Sequence, residues 1–284
     1  MAFVASALAG SMFGAIYAYV ILYLPFAGWI TFLIAAAFAV ATGAVTAYTL
    51  KKQKTRNISV ALLVSLVVSV ISYYVSWGIW VYAFLRRNDV AVQLDTILSN
   101  PAALWTAVQA INETGAWTVR SWTPTGGMLW TLWAVEAGIV ILGAMFMVLG
   151  MMLGEVFCER CSLWCKLEEE VCRVSASGVS TAKEWAEAKD FDRLANLGPP
   201  ATADAEWLRF DLYACPRCRM TNTLTMKRVA VTTDKDGDKS TDEAEILEKL
   251  LISGSEAATI REFSKRFAAE KKDPLRNPLS LPSE

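Results

Sequence analysis

Long apolar segments dominate the first half of the chain. From Met1 to Leu50 there is no acidic or basic side chain, and about 20 apolar residues suffice for one helix to cross the hydrocarbon core of a bilayer. This stretch therefore predicts two spans, separated at Leu24-Pro25-Phe26-Ala27-Gly28 because proline disfavours helix in the residue before it. We predict four transmembrane helices in total, at residues 3–24, 28–50, 58–85 and 128–152.

The charge content of the chain changes near Gly154. Seven basic and four acidic side chains precede this point, whereas twenty basic and twenty-four acidic side chains follow it. We therefore predict a polytopic α-helical membrane protein, with a four-helix transmembrane domain over residues 1–154 and a soluble α+β domain over residues 155–272. The proline-rich, polar segment 273–284 is expected to be a disordered tail. The net charge of −1 argues against nucleic-acid partners.

The loop between the second and third spans predicts the orientation in the membrane. It carries four cations and no acid, namely Lys51, Lys52, Lys54 and Arg56. The positive-inside rule assigns such a loop to the cytoplasm, so both termini are expected there and the loop 86–127 outside. Arg86 and Arg87 argue for the opposite orientation. The short loops and the lack of a recognisable targeting segment favour a bacterial inner membrane.

The outer loop contains a predicted amphipathic helix. Asn100 and Pro101 form an N-cap followed by proline at the first helical position, and apolar residues recur at helical spacing, at Leu104, Trp105, Val108 and Ile111. The helix could contact lipid or a partner, or it could be a lid packed on the bundle. We favour the lid, because an amphipathic stripe is usually a buried face.

All six cysteines follow the last predicted span. Cys158-Glu159-Arg160-Cys161 and Cys215-Pro216-Arg217-Cys218 are two CxxC quartets, and two such pairs can supply the four thiolates of a tetrahedral zinc site. The quartets resemble the knuckles of the zinc-ribbon and rubredoxin-type family, a resemblance that covers only the quartets and the strands around them. It implies one structural Zn²⁺ bound by Cys158, Cys161, Cys215 and Cys218, with β-hairpins around it.

The spacing between the two quartets departs from that family. Between Cys161 and Cys215 there are 53 residues, whereas compact zinc modules separate their pairs by about 12–20 residues. An insertion is therefore required. The composition predicts a helix over Ser180–Leu197 within it, and strands at Trp207–Tyr213 and Thr223–Thr232 on either side of the second quartet.

Disulfides and thiol redox chemistry are alternative uses of the cysteines. The predicted cytoplasmic location disfavours disulfides, and a thioredoxin-like site has one CxxC motif rather than two. Cys165 and Cys172 are either buried apolar residues or alternative ligands, and we favour the first because free cysteine behaves as a small hydrophobe.

Two further features are candidate sites. The segment 234–245 resembles a calcium-binding EF-hand loop at Asp234, Asp236, Asp238 and Glu245, but Lys239 occupies the position where that loop needs glycine. We therefore do not expect calcium, and interpret the segment as an acidic turn before a helix capped by Ser240 and Glu243.

Glu136 lies inside the fourth predicted span. A carboxyl group in hydrocarbon is costly unless it is protonated, paired or facing water. It could gate an ion or relay a proton, or accept a structural hydrogen bond from a tyrosine, the candidates being Tyr17, Tyr19, Tyr73 and Tyr74.

No nucleotide-binding loop or nucleophile–base pair is evident, and the chain has no histidine, so we do not expect an enzyme. We expect a membrane anchor, scaffold or regulatory protein that displays a cytoplasmic zinc domain for protein–protein interaction. Its expected partners are membrane lipids and a cytoplasmic protein. A homo-oligomer is possible, since Gly10 and Gly14 form a GxxxG face, which serves contacts within a chain as well as dimerisation. The alternatives are a transporter or channel component that uses Glu136 and a membrane-bound thiol redox protein.

Overall fold

The computed structural model describes residues 2–23, 29–118, 123–200, 205–233 and 239–272. Contacts between residues divide the chain into two compact units, Met1–Gly154 and Glu155–Glu284. The division falls at the residue where the charge content of the sequence rises. The predicted break at 24–28 and the predicted tail at 273–284 lie outside the described residues.

The first unit is helical. Its helices are α1 (Ala2–Tyr23), α2 (Trp29–Lys52), α3 (Ile58–Arg87), α4 (Leu94–Ser99), α5 (Pro101–Thr114) and α6 (Gly126–Met152). Four of these helices, α1, α2, α3 and α6, are long and apolar enough to cross a membrane, as the hydrophobic pattern predicted. Their exposed surfaces carry large apolar side chains such as Leu8, Leu33 and Phe146, which suits contact with lipid.

Glycines bring the long helices close together. A Cβ atom placed on Gly43 of α2 would lie 2.6 Å from the carbonyl oxygen of Ala144 on α6 and 2.6 Å from the Cβ of Met147. A Cβ atom on Gly14 of α1 would lie 2.6 Å from the carbonyl oxygen of Ser72 on α3. The GxxxG face of α1 is therefore used within the chain, for packing against α3.

Two cations bond the C-terminal ends of neighbouring helices. Lys51 Nζ donates to the carbonyl oxygen of Met151 at 3.2 Å, and Arg87 Nη1 donates to that of Leu22 at 3.2 Å. The last carbonyl groups of a helix have no partner within the helix and carry partial negative charge, so cations are favoured there. These bonds tie α2 to α6 and α3 to α1.

The amphipathic helix between the third and fourth long helices packs on the bundle. The Asn100 side chain accepts hydrogen bonds from the backbone N–H groups of Ala102 and Ala103, each at 3.1 Å, so the predicted N-cap is confirmed. Three of the four residues of the apolar stripe of α5 are buried in one cluster with side chains of α3, α4 and α6, formed by Val81, Ile97, Leu104, Val108, Ile111, Leu129 and Trp133. The fourth residue of the stripe, Trp105, is 55% exposed. The lid interpretation is therefore confirmed.

We predict that Gly43→Ala destabilises the helical bundle. The added methyl group would overlap the backbone of α6, and overpacking of this kind typically costs about 1–3 kcal/mol. Gly138→Ala on α6 is the matched control, because a Cβ atom there meets nothing within 4 Å and alanine favours helix over glycine. Unfolding of the purified chain by denaturing detergent, followed by its helical circular dichroism, should show a lower midpoint for Gly43→Ala alone. Equal midpoints would contradict the close contact.

The second unit combines two antiparallel sheets with helices. Its elements are β1 (Phe157–Cys158), β2 (Leu163–Trp164), β3 (Lys166–Ser175), α7 (Val179–Glu187), α8 (Phe191–Ala195), β4 (Glu206–Ala214), β5 (Asn222–Thr233), β6 (Lys239–Ile252) and α9 (Gly254–Lys272). β1 pairs with β2, and the larger sheet has the order β3-β4-β5-β6. The predicted helical region between the quartets forms α7 and α8, and both predicted strands are present as β4 and β5.

The larger sheet has one apolar face and one charged face. Side chains alternate between the two faces of a strand, and Leu208, Phe210 and Leu212 of β4 point into a core that also contains residues of α7, α8 and α9. Arg209 lies between them on the opposite face, where it pairs with Asp211 and Glu243. Helices thus cover one face of the sheet, and a network of charges covers the other.

A buried carboxylate holds the irregular part of β3. The register of β3 against β4 shifts between Glu168 and Cys172, and Glu170 has a positive φ of 53°. Its backbone N–H donates to Asp211 Oδ1 at 2.7 Å. Asp211 also accepts from Arg209 Nη2 at 2.8 Å, and its side chain is only 4% exposed. The carboxylate of Asp211 therefore accepts hydrogen bonds both from the bulge, at Glu170, and from its ion-pair partner Arg209.

The prediction of a helix after the acidic segment 234–238 is wrong. Ser240 and Glu243 belong to β6, where they pair with Thr232 and Val229 of β5. Backbone pairing with β5, together with packing of Leu247 and Leu250 on the core, outweighs the helix-favouring composition of this segment. The first strand of the larger sheet, β3, was not predicted either.

We predict that Asp211→Asn loosens the junction of β3 with β4. The amide would keep part of the hydrogen bonding but would leave Arg209 without its buried partner, a loss of about 2–3 kcal/mol. Hydrogen–deuterium exchange of the full chain should show faster exchange in β3 and β4. Glu206→Gln, which removes an exposed ion pair with Arg228, is the control and should leave exchange unchanged. Unchanged exchange in Asp211→Asn would show that the carboxylate does not hold the bulge.

Candidate metal centre

The four cysteines of the two quartets come together in the second unit. The sulfur atoms of Cys158, Cys161, Cys215 and Cys218 all lie within 4.8 Å of one another, and those of Cys158 and Cys218 are 3.6 Å apart. A tetrahedral site with metal–sulfur bonds of about 2.3 Å has sulfur–sulfur edges of about 3.8 Å. The cluster could therefore hold one metal ion with little movement of the thiols.

Two hairpins present these cysteines. Cys158 is the last residue of β1, and Cys161 lies in the turn between β1 and β2. Cys215 and Cys218 lie in the connection between β4 and β5. The first residue of β3, Lys166, is paired with the last residue of β4, Ala214. The start of β3 and the end of β4, which adjoin the two quartets, therefore lie side by side. The insertion of α7 and α8 leaves at the opposite end of β3.

Hydrogen bonds fix the loop that carries the second quartet. The N–H of Cys215 donates to the carbonyl oxygen of Thr221 at 3.0 Å, and the N–H of Arg219 donates to that of Cys215 at 3.2 Å. The N–H of Met220 donates to Cys218 Sγ at 3.5 Å. Backbone groups thus close the turn and also support a sulfur atom.

Thr221 links the second loop to the first quartet. Its hydroxyl donates to Cys158 Sγ at 3.2 Å. This hydrogen bond holds the pKa of Cys158 below its usual value, because a donor stabilises the charged thiolate. The backbone N–H of Met220 likewise holds the pKa of Cys218 below its usual value.

One thiol of the cluster behaves differently. The hydrogen bond of Cys161 to Cys218, together with burial, raises the pKa of Cys161 to about 12. Cys161 thus favours the form that keeps its proton, whereas the hydrogen bonds at Cys158 and Cys218 favour the thiolate. A metal ion would displace that proton, since only thiolates serve as ligands.

The two remaining cysteines lie outside the four-thiol cluster. Cys172 belongs to the apolar core of the larger sheet, and burial raises its pKa to about 12. Cys165 is packed against the quartets, and its sulfur lies 3.9 Å from the carbonyl oxygen of Thr221. Burial raises the pKa of Cys165 to about 11. Both cysteines thus favour the neutral thiol.

A shallow depression adjoins the cluster. It is lined by Arg160, Cys161, Arg217, Cys218 and Met220 and has a volume of about 590 Å³. Both arginines are exposed, and so is the Met220 side chain, at 62%. The surface beside the candidate site is therefore basic with one apolar residue.

Of the four candidate residues of the calcium-like segment, the structure describes one, Glu245. Asp234, Asp236 and Asp238 lie outside the described residues, whereas Glu245 lies in β6, where its carboxylate is 3.8 Å from Lys227 Nζ. Glu245 is thus in a strand rather than at the start of the helix that leaves an EF-hand loop.

Glu136 lies on α6 in the first unit and is partly buried. The Tyr73 hydroxyl donates to Glu136 Oε1 at 3.4 Å, and the Tyr17 hydroxyl also interacts with this carboxyl, though without a hydrogen bond of regular geometry. Tyr74 instead donates to the carbonyl oxygen of Leu98 at 2.9 Å, and Tyr19 is 44% exposed. Two of the four candidate tyrosines therefore face the carboxyl.

Comparisons with protein-family models, curated proteins and solved structures find no match to this chain. The candidate centre therefore rests on cysteine spacing and on the convergence of the sulfur atoms. The sequence analysis missed Thr221 and the two arginines beside the cluster. A hydroxyl residue shortly after the second quartet and an arginine before the second cysteine of each quartet are the signals that could have indicated them.

We predict that Thr221→Val makes metal retention more sensitive to acid. Loss of its hydrogen bond raises the pKa of Cys158, so protons compete with the metal at a higher pH. The zinc-loaded protein should then release its metal, as the pH falls, at a midpoint roughly half a pH unit above that of the wild type. A chromogenic chelator measures the release. Thr232→Val, in β5 and hydrogen-bonded to Ser240, is the control, and equal midpoints in all three proteins would contradict this role of Thr221.

Proposed function

We propose that the chain is an integral membrane scaffold or regulatory protein that displays a structural zinc domain in the cytoplasm for protein–protein interaction. The observation that carries this proposal is the convergence of the four sulfur atoms within 4.8 Å. Four protein ligands close a tetrahedral site and leave no position for substrate, which is the arrangement of structural zinc sites. The proposed role is therefore non-enzymatic.

The donor set supports zinc as the metal. Four thiolates in a tetrahedral arrangement suit zinc or iron, whereas calcium and magnesium prefer oxygen ligands. All six cysteines are free thiols, and the sulfurs of Cys158 and Cys218, at 3.6 Å, are well beyond the disulfide bond length of about 2.05 Å. This geometry favours metal binding over the thiol redox alternative.

Four apolar helices support the anchoring role. They are long enough to cross a membrane, and the basic loop between α2 and α3 favours a cytoplasmic location for both termini by the positive-inside rule. In that orientation the cysteines face a reducing compartment, where thiolates remain available to a metal. We propose a bacterial inner membrane as the location.

The surface beside the cluster supports an interaction role. Neither Arg160 nor Arg217 forms an ion pair within the part of the chain that the structure describes, and Met220 is exposed beside them. Arginine and methionine are enriched at protein interfaces relative to the rest of the surface. The arginine charges favour a partner with an acidic surface.

Metal analysis of the full chain, purified without chelators, tests the centre. We expect about one zinc ion per chain. Cys218→Ser should lose the metal, whereas Cys172→Ser should retain it because Cys172 lies in the sheet core. A protein without metal whose quartet cysteines are paired as disulfides would overturn the zinc proposal and favour thiol redox chemistry.

Protease accessibility tests the orientation separately. Protease added to inverted membrane vesicles should degrade residues 155–284, whereas protease added to intact spheroplasts should not. The reverse pattern would place the second unit outside and remove the argument from a reducing compartment.

Site-specific photo-cross-linking in native membranes tests the interaction surface. A photoreactive amino acid at Met220 should give a defined product that is lost in the double variant Arg160→Glu/Arg217→Glu. The same probe at Glu184, which is exposed on α7 of the same unit, is the matched control. Equal products at both positions, or a product at Met220 that survives the charge reversal, would contradict a partner at this surface.

A further inference from the structure

The four long helices contain a single acidic residue. Glu136 is the only aspartate or glutamate in α1, α2, α3 and α6, and their lysines and arginines are confined to the last turns of α2 and α3. A carboxylate in this environment has no counter-charge within its own helix. The cost of an unpaired charge in hydrocarbon makes such residues candidates for a function.

Glu136 also lies deep along its helix. It follows Gly126, the first residue of α6, by ten residues, which corresponds to about 15 Å at a rise of 1.5 Å per residue. The whole helix of 27 residues is about 40 Å long on the same basis, compared with about 30 Å for the hydrocarbon core. The carboxyl group is therefore inside the apolar layer rather than at its surface.

The groups that face Glu136 from neighbouring helices are neutral hydroxyls. Tyr73 of α3 donates to it at 3.4 Å and is also 3.5 Å from the carbonyl oxygen of Trp133. Tyr17 of α1 faces it, and the buried hydroxyl of Tyr17 has no regular hydrogen-bond partner among the described residues. Its ring stacks on Phe38 of α2 at 5.0 Å, so α2 contributes an apolar ring to this region.

The nearest cations of the helices are remote. Arg86 and Arg87 follow Tyr73 on α3 by 13 and 14 residues, or about 20 Å along the axis, and Arg87 bonds the carbonyl oxygen of Leu22. Lys51 of α2 bonds Met151, which follows Glu136 on α6 by 15 residues, or about 22 Å. None of these cations can pair with Glu136 in this arrangement.

We infer that Glu136, Tyr17 and Tyr73 form a proton-binding site inside the bundle. With its proton bound, Glu136 is neutral and can donate a hydrogen bond to the Tyr17 oxygen while it accepts one from Tyr73. Both hydroxyls and the carboxyl are then satisfied without any counter-ion. Binding forms the O–H bond of the carboxylic acid with a proton taken from water, and release returns that proton to water.

This inference rests on the proposed insertion of the bundle in a membrane and is independent of the metal centre. The experiment therefore uses the full chain reconstituted in lipid vesicles, and only preparations that resist extraction by alkaline carbonate are measured. Loss of the chain on extraction would overturn the proposed insertion and this inference with it, whereas retained chain isolates the question of the proton.

Infrared spectroscopy at pH 7 tests the site. The carbonyl stretch of a protonated carboxylic acid is separate from the bands of a carboxylate, so subtraction of the Glu136→Gln spectrum should reveal the loss of one protonated acid per chain. Glu113 is exposed and lies near the C-terminal end of α5, so the Glu113→Gln spectrum should instead show the loss of a carboxylate band. If Glu136→Gln also lost only a carboxylate, Glu136 would be ionised and the inference would be overturned.

Tyrosine variants test the hydrogen-bonding partners with the same readout. Tyr17→Phe removes the acceptor of the acid proton and should shift the protonated carbonyl band. Tyr19→Phe, on the same helix but 44% exposed, should leave the band in place. A band that does not move in Tyr17→Phe would overturn the assignment of Tyr17 to the site.

Discussion

The antiparallel pairing of β3 with β4 is the interaction on which the metal centre depends. It places Lys166, the first residue of β3, opposite Ala214, the last residue of β4. The segment that contains the first quartet precedes Lys166, and the second quartet begins directly after Ala214, at Cys215. The pairing therefore brings the two quartets together. The 53 residues between Cys161 and Cys215 do not matter for the geometry, because α7 and α8 leave and return at the far end of the two strands. Backbone hydrogen bonds between β3 and β4 thus bring together metal ligands that are far apart in the sequence.

The sheet and the two cysteine quartets are stabilised by different interactions. The core of the sheet consists of apolar side chains such as Leu208, Leu212 and Phe263, whereas the four quartet cysteines and Cys165 form a distinct cluster at one end. Cys158 and Cys215 are fully buried, although thiols contribute little apolar area. Bonds to a metal ion would supply the cohesion that these short hairpins lack, since structural metal sites contribute folding energy directly. The sheet, in contrast, has an apolar core of its own.

Hydrophobic pattern and cysteine spacing were sufficient to predict the four long helices, the strands β4 and β5, and the four thiols. These features depend on local sequence: a long apolar run can form a spanning helix on its own, and a CxxC quartet carries its ligands within one turn. The strand β6 was missed because residues such as Ala244 and Leu247 favour helix in isolation, and only pairing with β5 makes them a strand. The role of Thr221 depends on contact with Cys158 across 63 positions, which no local pattern contains.

Glu136 differs from the serines of α3 in how its hydrogen bonds can be satisfied. Ser72 Oγ donates to the carbonyl oxygen of Val68 at 2.8 Å, and Ser76 Oγ donates to that of Tyr73 at 2.7 Å. Small hydroxyl residues of this kind satisfy themselves within their own helix while allowing close approach of a neighbour. An ionised carboxylate has no hydrogen to donate to those carbonyl groups, so Glu136 must obtain its partners from other helices or carry a proton. Tyr17 and Tyr73, on two different helices, supply the partners, and the distance to the lysines and arginines of the long helices is why we infer that Glu136 carries a proton.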